Sequence, residues 1–179
     1  PDALPLKLTA QGFGQDGNWV GYALLVSNEN TAYAIDEANC IINAYDATGN
    51  KVDLGSLSEK GRYLGVVFPG QPRAYTDRFK VEDGVTIDKI EISLNGGLPI
   101  AGDQPDPLKI DQVSFKTIYN QHRVIGVVSN SIDRAFDYIT LAAVGYNEAG
   151  EIIGSGFNYM EYLPANGSVP FDASLVTSA

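Results

Sequence analysis

The phrase Tyr45-Asp46-Ala47-Thr48-Gly49-Asn50-Lys51-Val52 returns 101 residues later as Tyr146-Asn147-Glu148-Ala149-Gly150-Glu151-Ile152-Ile153. Each copy ends one apolar run, crosses a four-residue polar turn with Gly in its last place, and opens a second apolar run. That is hairpin grammar, in which the Gly takes a left-handed backbone angle that a residue with a Cβ adopts only at a cost. Other landmarks keep nearly the same offset. Pro5-Leu6-Lys7-Leu8 is answered by Pro107-Leu108-Lys109-Ile110, and Ser27-Asn28 by Ser129-Asn130, both 102 residues on. Pro69 is answered by Pro164 at an offset of only 95, which places a short insertion of the first copy near residues 54–61. A repeat tolerates a length change of that kind in a loop.

Between the landmarks the apolar pattern has the period of a strand. Cys40, Ile42 and Ala44 share one face, as do Leu141, Ala143 and Gly145 in the second copy. Ile90, Ile92 and Leu94 mark a further strand with Lys89 and Glu91 turned outward. No stretch of helical length shows a 3.6-residue period. Residues 97–106 shift to Gly, Pro and Asp and read as a linker stiffened by prolines. The expected fold is therefore all-β: two tandem immunoglobulin-like β-sandwich domains, residues 1–96 and 107–179, joined by residues 97–106. Two stacked sheets per unit account best for the spacing of strands and turns.

The second unit comes up short. In the first, 19 residues separate Tyr75 from Leu94 and include its final strand. In the second, only 8 residues follow Phe171, the counterpart of Tyr75. The sequence thus predicts a second sandwich lacking its last strand. Either the natural protein continues, or a strand from another molecule closes the sheet beside residues 169–176. The N-terminal residues 1–8 are one expected donor.

The residues around both turns resemble bacterial FxLYD-type immunoglobulin-like domains. The namesake motif falls on Ile42-Asn43-Ala44-Tyr45-Asp46 and Ala143-Val144-Gly145-Tyr146-Asn147, where the Tyr is kept in both, the Asp only in the first, and the Phe and Leu are replaced. The flanking features agree better: a strand ending in Asn, the turn Gly, and a later Pro-led turn before an aromatic strand. The resemblance spans nearly the whole chain and implies an immunoglobulin-like fold in a secreted or lipid-anchored, extracytoplasmic bacterial protein. It brings no catalytic residues.

Charge and composition exclude several classes. With 22 acids against 12 bases the net charge is −10, and no basic stripe exists to neutralise phosphates. Nucleic acid and anionic lipid are poor partners for such a chain. No apolar run approaches the ~20 residues a membrane-spanning helix needs, and no signal peptide is read at the start. Cys40 is the only cysteine, so no internal disulfide forms, and its alternation with Ile42 and Ala44 makes it a small core hydrophobe rather than a nucleophile.

Catalytic constellations are not legible. His122, the only histidine, enters a strand after Asn120-Gln121, with no nucleophile-elbow sequence to serve. The acids Asp36-Glu37, Glu82-Asp83, Asp103, Asp106 and Asp111 lack the alternating spacing of a calcium loop and read as solvated loop charge. Gly12-Phe13-Gly14 is too short for a phosphate loop, and Asn166-Gly167-Ser168 fits both a glycosylation sequon and ordinary turn chemistry. No metal, cofactor or catalytic residue is expected. The candidate interaction aromatics are Tyr63, Tyr119, Phe157, Tyr159 and Tyr162. The expected role is a non-enzymatic structural or protein-interaction module, an assembly subunit among the options, with a protein partner or a neighbouring copy. The alternative is a carbohydrate-binding module using exposed aromatics.

Overall fold

The computed structural model describes residues 3–70, 72–101 and 107–178, apart from the side chains of Ser56 and Ala101. The described chain is all-β and antiparallel throughout. In order it runs β1 (Lys7–Asp16), β2 (Trp19–Ser27), β3 (Tyr33–Asp46), β4 (Lys51–Val52), the one-turn helix α1 (Ser56–Glu59), β5 (Arg62–Tyr63), β6 (Arg73–Lys80) and β7 (Ile87–Ala101). Then come β8 (Leu108–Ile118), β9 (Gln121–Asn130), β10 (Phe136–Tyr146), β11 (Ile152–Leu163) and β12 (Ser168–Thr177).

Residues 3–101 make two sheets. One is ordered β1-β2-β6; the other sets β3 between β7 on one edge and the short β4 and β5 on the other. Their facing sides share one core. Val20, Tyr22, Leu24 and Val26 of β2 meet Cys40, Ile42 and Ala44 of β3, with Ile87, Ile90 and Ile92 of β7 closing the side. Cys40 is fully buried there, as its alternation requires.

Residues 107–178 make one sheet, ordered β10-β11-β12-β9-β8. Its middle is a splayed hairpin. Residues 168–174 of β12 pair with β9, whereas residues 174–177 pair with β11. The sheet therefore folds over a small core of Val128, Leu141, Met160, Leu163 and Phe171. Among the described residues that core counts five buried apolar side chains, against sixteen in the core of the first half.

The two halves make the same local bonds at the matched landmarks. Gly49 (φ 84°) and Gly150 (φ 79°) both take the left-handed angle the turns require. Gly49 N donates to Asp46 O and Gly150 N to Asn147 O, while Asp46 N and Asn147 N donate to Asn50 O and Glu151 O. The Asp46 carboxylate accepts further bonds from the Thr48 hydroxyl and the Thr48 and Asn50 amides, which hold it below the usual carboxylate range. A left-handed residue interrupts β3 at Glu37 (φ 57°) and β10 at Tyr138 (φ 56°).

The buried amides of Asn28 and Asn130 repeat most closely. Asn28 Nδ2 donates to Tyr33 O (2.8 Å) and Val67 O (2.9 Å), and its Oδ1 accepts from Asn30 N (3.0 Å). Asn130 Nδ2 donates to Arg134 O (2.7 Å) and Pro164 O (3.0 Å), and its Oδ1 accepts from Ile132 N (3.1 Å). Each amide ties a strand end to the next strand's entry and to the distant Pro-led turn. That is why a polar residue is kept in each core.

Three expectations are corrected. The linker was placed at residues 97–106, but β7 stays paired to β3 through residue 101, with Asp36 opposite Leu98 and Ala34 opposite Ile100. Residues 102–106 lie outside the described residues. Residues 3–8 are not a free donor, because Leu4 exchanges two bonds with the Asn30 amide and Ala3, Leu6 and Leu8 pack on the first core. Finally, the strand of residues 169–176 is paired within the chain, with β9 along residues 168–174 and with β11 along residues 174–177. Among the described residues the sheet's free edges are those of β8, which pairs only with β9, and β10, which pairs only with β11.

Asn28→Ala takes a donor from the Tyr33 carbonyl and the acceptor from the Asn30 amide in a buried site, while Val67 O keeps its bond from Ile35 N (3.0 Å). Urea unfolding is expected to show a loss of at least ~2 kcal/mol. A loss below ~0.5 kcal/mol would contradict the role assigned to this side chain.

Candidate interaction cleft

The halves are packed face to face. Strand β2 is buried on both sides: Val20, Tyr22 and Leu24 point into the first core, while Gly21 and Ala23 turn to the second half. At Gly14 a Cβ would stand 1.9 Å from the Ile153 carbonyl oxygen, so only glycine admits that approach. Thr76 Oγ1 donates to Gly156 O (2.7 Å) in the buried contact, Ser155 Oγ donates to Asp77 O (3.3 Å), and Gln15 N donates to Ser178 Oγ (3.0 Å). At the rim the Arg78 guanidinium lies 4.8 Å from the Trp19 ring and 5.5 Å from that of Phe157.

This packing leaves two hollows along β10. A cleft of about 930 Å³ lies between the halves, lined by residues 73–76 of β6 and residues 136–140 of β10. Side chains on a strand alternate between faces, so consecutive residues line one cavity only where it runs along the strand's edge. Both β6 and β10 are edge strands, and both turn an unpaired edge to this cleft. A second groove of about 600 Å³ is bounded by residues 142–146 of β10 and by Ile110, Val113 and Phe115 of β8, with Phe171 and Leu175 at its floor. Its lining is mainly apolar, with His122, Tyr146 and Thr177 as its polar members.

The first half shows what covers such an edge. There β7 lies along the whole of β3, and β1 holds it through two glutamines. Gln11 bonds Ile90 O (3.4 Å) and Ile92 N (3.1 Å); Gln15 bonds Val85 O (2.8 Å) and Ile87 N (2.9 Å). The Tyr45 hydroxyl donates to Glu91 of β7 (3.0 Å). Along β10 nothing corresponds among the described residues. Tyr146, matched to Tyr45, is 50% exposed, and the residues 102 positions after Gln11 and Gln15 are Val113 and Thr117. Val113 is 59% exposed at the groove's rim.

The cleft also gathers charge that the sequence scatters. Arg62, Arg73, Lys109 and Arg134 line it, and among the described residues Asp137 is its one acid. Arg62 pairs with Asp77, and Arg73 donates to Val66 O (3.1 Å). The Arg134 guanidinium sits 5.3 Å from the Phe136 ring. Tyr138, 85% exposed, stands at the rim.

Of the sequence candidates, Tyr63 lines this cleft, where its hydroxyl donates to Asp36 and, with the Glu37 amide, holds that carboxyl below its usual range. Phe157 and Tyr159 meet edge to face at 5.0 Å, beside Arg78 and Trp19, two neighbours the sequence did not single out. Tyr162 pairs across from Asp137, and Tyr119 stands 97% exposed at the β8–β9 turn with no ring contact to the others. The five do not form one platform. His122 stacks on Phe115 (5.4 Å) beside Thr117 Oγ1 (3.1 Å), within the apolar groove and without an acid to orient it. Among the described residues no three His, Cys, Asp or Glu side chains gather as metal ligands; Asp103 and Asp106 lie outside them.

No family model, curated protein or solved structure matches this chain.

Burial pushes the Cys40 thiol above its ordinary value, against smaller opposing effects of Arg62, so little thiolate forms. Thiol labelling of the native protein is expected to be slower by orders of magnitude than labelling in denaturant. Equal rates would show an accessible, reactive Cys40.

Proposed function

We propose that this chain is a non-enzymatic interaction module that accepts an extended strand of another polypeptide along the outer edge of β10. The observation that carries the reading is the contrast between β3 and β10. The first is covered by β7, and the second turns consecutive residues to an open cleft and an apolar groove. Unpaired backbone groups along an edge are a template for an added strand. The internal precedent indicates what such a strand brings. Ile87, Ile90 and Ile92 of β7 are each buried at the first core, and each contributes roughly 1.5–3 kcal/mol by burial. A partner strand with similar alternation would place its apolar side chains over Phe171 and Leu175. Where β1 offers glutamine amides, β8 offers Val113 and Phe115, so the contact on that side is apolar.

On this reading residues 3–101 and 107–178 are two immunoglobulin-like sandwiches of a duplicated unit, the second incomplete without its partner. The offsets of the turns and of the Asn28 and Asn130 bonds support the duplication. An extracytoplasmic setting rests on the FxLYD-type resemblance alone. A carbohydrate platform gains less support, since the exposed tyrosines do not share one face.

The test uses a peptide with the sequence of residues 85–101 as probe and the isotope-labelled full chain as receptor. Amide shifts should concentrate on residues 136–146, and a peptide carrying Ile90→Pro and Ile92→Pro, which cannot pair, should not produce them. No response along residues 136–146 at millimolar peptide would refute the reading, as would an equal response to the proline peptide.

A further inference from the structure

We infer that the strand accepted by β10 is a bipartite segment, apolar and alternating in its N-terminal part and acidic in its C-terminal part. This rests on the strand-accepting reading and adds the chemistry and polarity of the partner. Three observations carry it.

The first is charge. The chain is strongly acidic, with 22 acids to 12 bases, yet among the described residues four bases and a single acid line the cleft. Arg62 is committed to Asp77, but neither Lys109 nor Arg134 makes an ion pair among the described residues. An acidic segment is repelled by most of this surface and attracted at one place, which is how charge confers specificity and register.

The second is the shape of the path. The β10 edge is a single track with unlike ends: residues 142–146 border the apolar groove, and residues 136–140 border the cationic cleft. At about 3.3 Å per residue an extended segment of some ten residues reaches from one to the other. The cleft end lies between two unpaired edges, β6 and β10, a setting that suits an extended polypeptide backbone better than a sugar.

The third is direction. All strand pairing among the described residues is antiparallel, and β7 covers β3 in that sense. A strand antiparallel to β10 meets residues 142–146 first and residues 136–140 last. Its apolar part therefore precedes its acidic part.

The experiment compares three peptides built on residues 85–94 of this chain: one extended C-terminally by Asp-Glu-Asp-Glu, one by Asn-Gln-Asn-Gln, and one extended N-terminally by Asp-Glu-Asp-Glu. Binding to the full chain is followed by fluorescence anisotropy at low and high salt. The C-terminally acidic peptide is expected to bind about tenfold tighter than the neutral one at low salt, with the gap closing towards twofold near 0.5 M salt. Lys109→Gln with Arg134→Gln should remove most of that preference while leaving the neutral peptide's affinity nearly unchanged. Equal binding of the acidic and neutral peptides overturns the inference and leaves strand acceptance standing. A preference for the N-terminally acidic peptide overturns the stated direction. If none of the three binds, both the inference and the reading beneath it fail.

Discussion

Strand β2 is buried on both faces, and that constraint places everything else. Its bulky side chains, Val20, Tyr22, Leu24 and Val26, fill the first core, and the middle of the opposite face offers the small Gly21 and Ala23 to a neighbour. Small residues let backbones approach, and here they admit β11 and β12 close enough for Thr76 to reach the Gly156 carbonyl. Bonds between buried polar groups are costly to lose once solvent is excluded. The halves therefore do not behave as beads on a tether. The cleft between β6 and β10 exists because the second half is fixed at this distance and angle.

Against that shared scaffold, one difference decides the character of the second half. The first half closes its sandwich with a fifteen-residue strand, β7, and spends two glutamines of β1 on holding it. The second half keeps the turn, the buried Asn and the left-handed interruption of the equivalent strand, but among its described residues has no β7. Its consequences are visible in burial. Six residues of β3 are buried, against two of β10, and Tyr146 stands open where Tyr45 is capped by Glu91. An apolar groove beside an unpaired edge is a liability for a solitary protein, and natural folds ordinarily blunt such edges. Here the groove is lined by Val113, Phe115, Phe171 and Leu175, without a lysine or proline to discourage pairing.

Much of this was legible in the sequence because it is local. The turn glycines, the alternation that buries Cys40, and the Ser-Asn strand ends are short-range signals, and each appears in the structure where its spacing places it. What was not legible depends on how sheets meet. Gly96, Gly97 and Pro99 carry the composition of a linker, yet pairing with β3 extends β7 through them, because an edge strand tolerates Gly and Pro. The exposed edge was assigned to the neighbour of β12, since hairpin order alone does not reveal that β12 splits its pairing between β9 and β11. The cationic cleft is assembled from positions 62, 73, 109 and 134, too far apart in the chain for any window to join. Trp19 and Arg78 meet Phe157 only through the packing of the halves.

The central claim is that the outer edge of β10 is unpaired in the free protein, whereas that of β3 is not. Amide hydrogen exchange followed residue by residue reads this directly, since an edge amide without a partner exchanges far faster than one in a ladder. In residues 136–146 the amides directed away from β11 should exchange within minutes, alternating with protected neighbours. In residues 33–46, along the β4-, β5- and β7-paired strand, protection should be high wherever β7 is the acceptor. Uniform protection along residues 136–146, matching that of β3, would contradict the account.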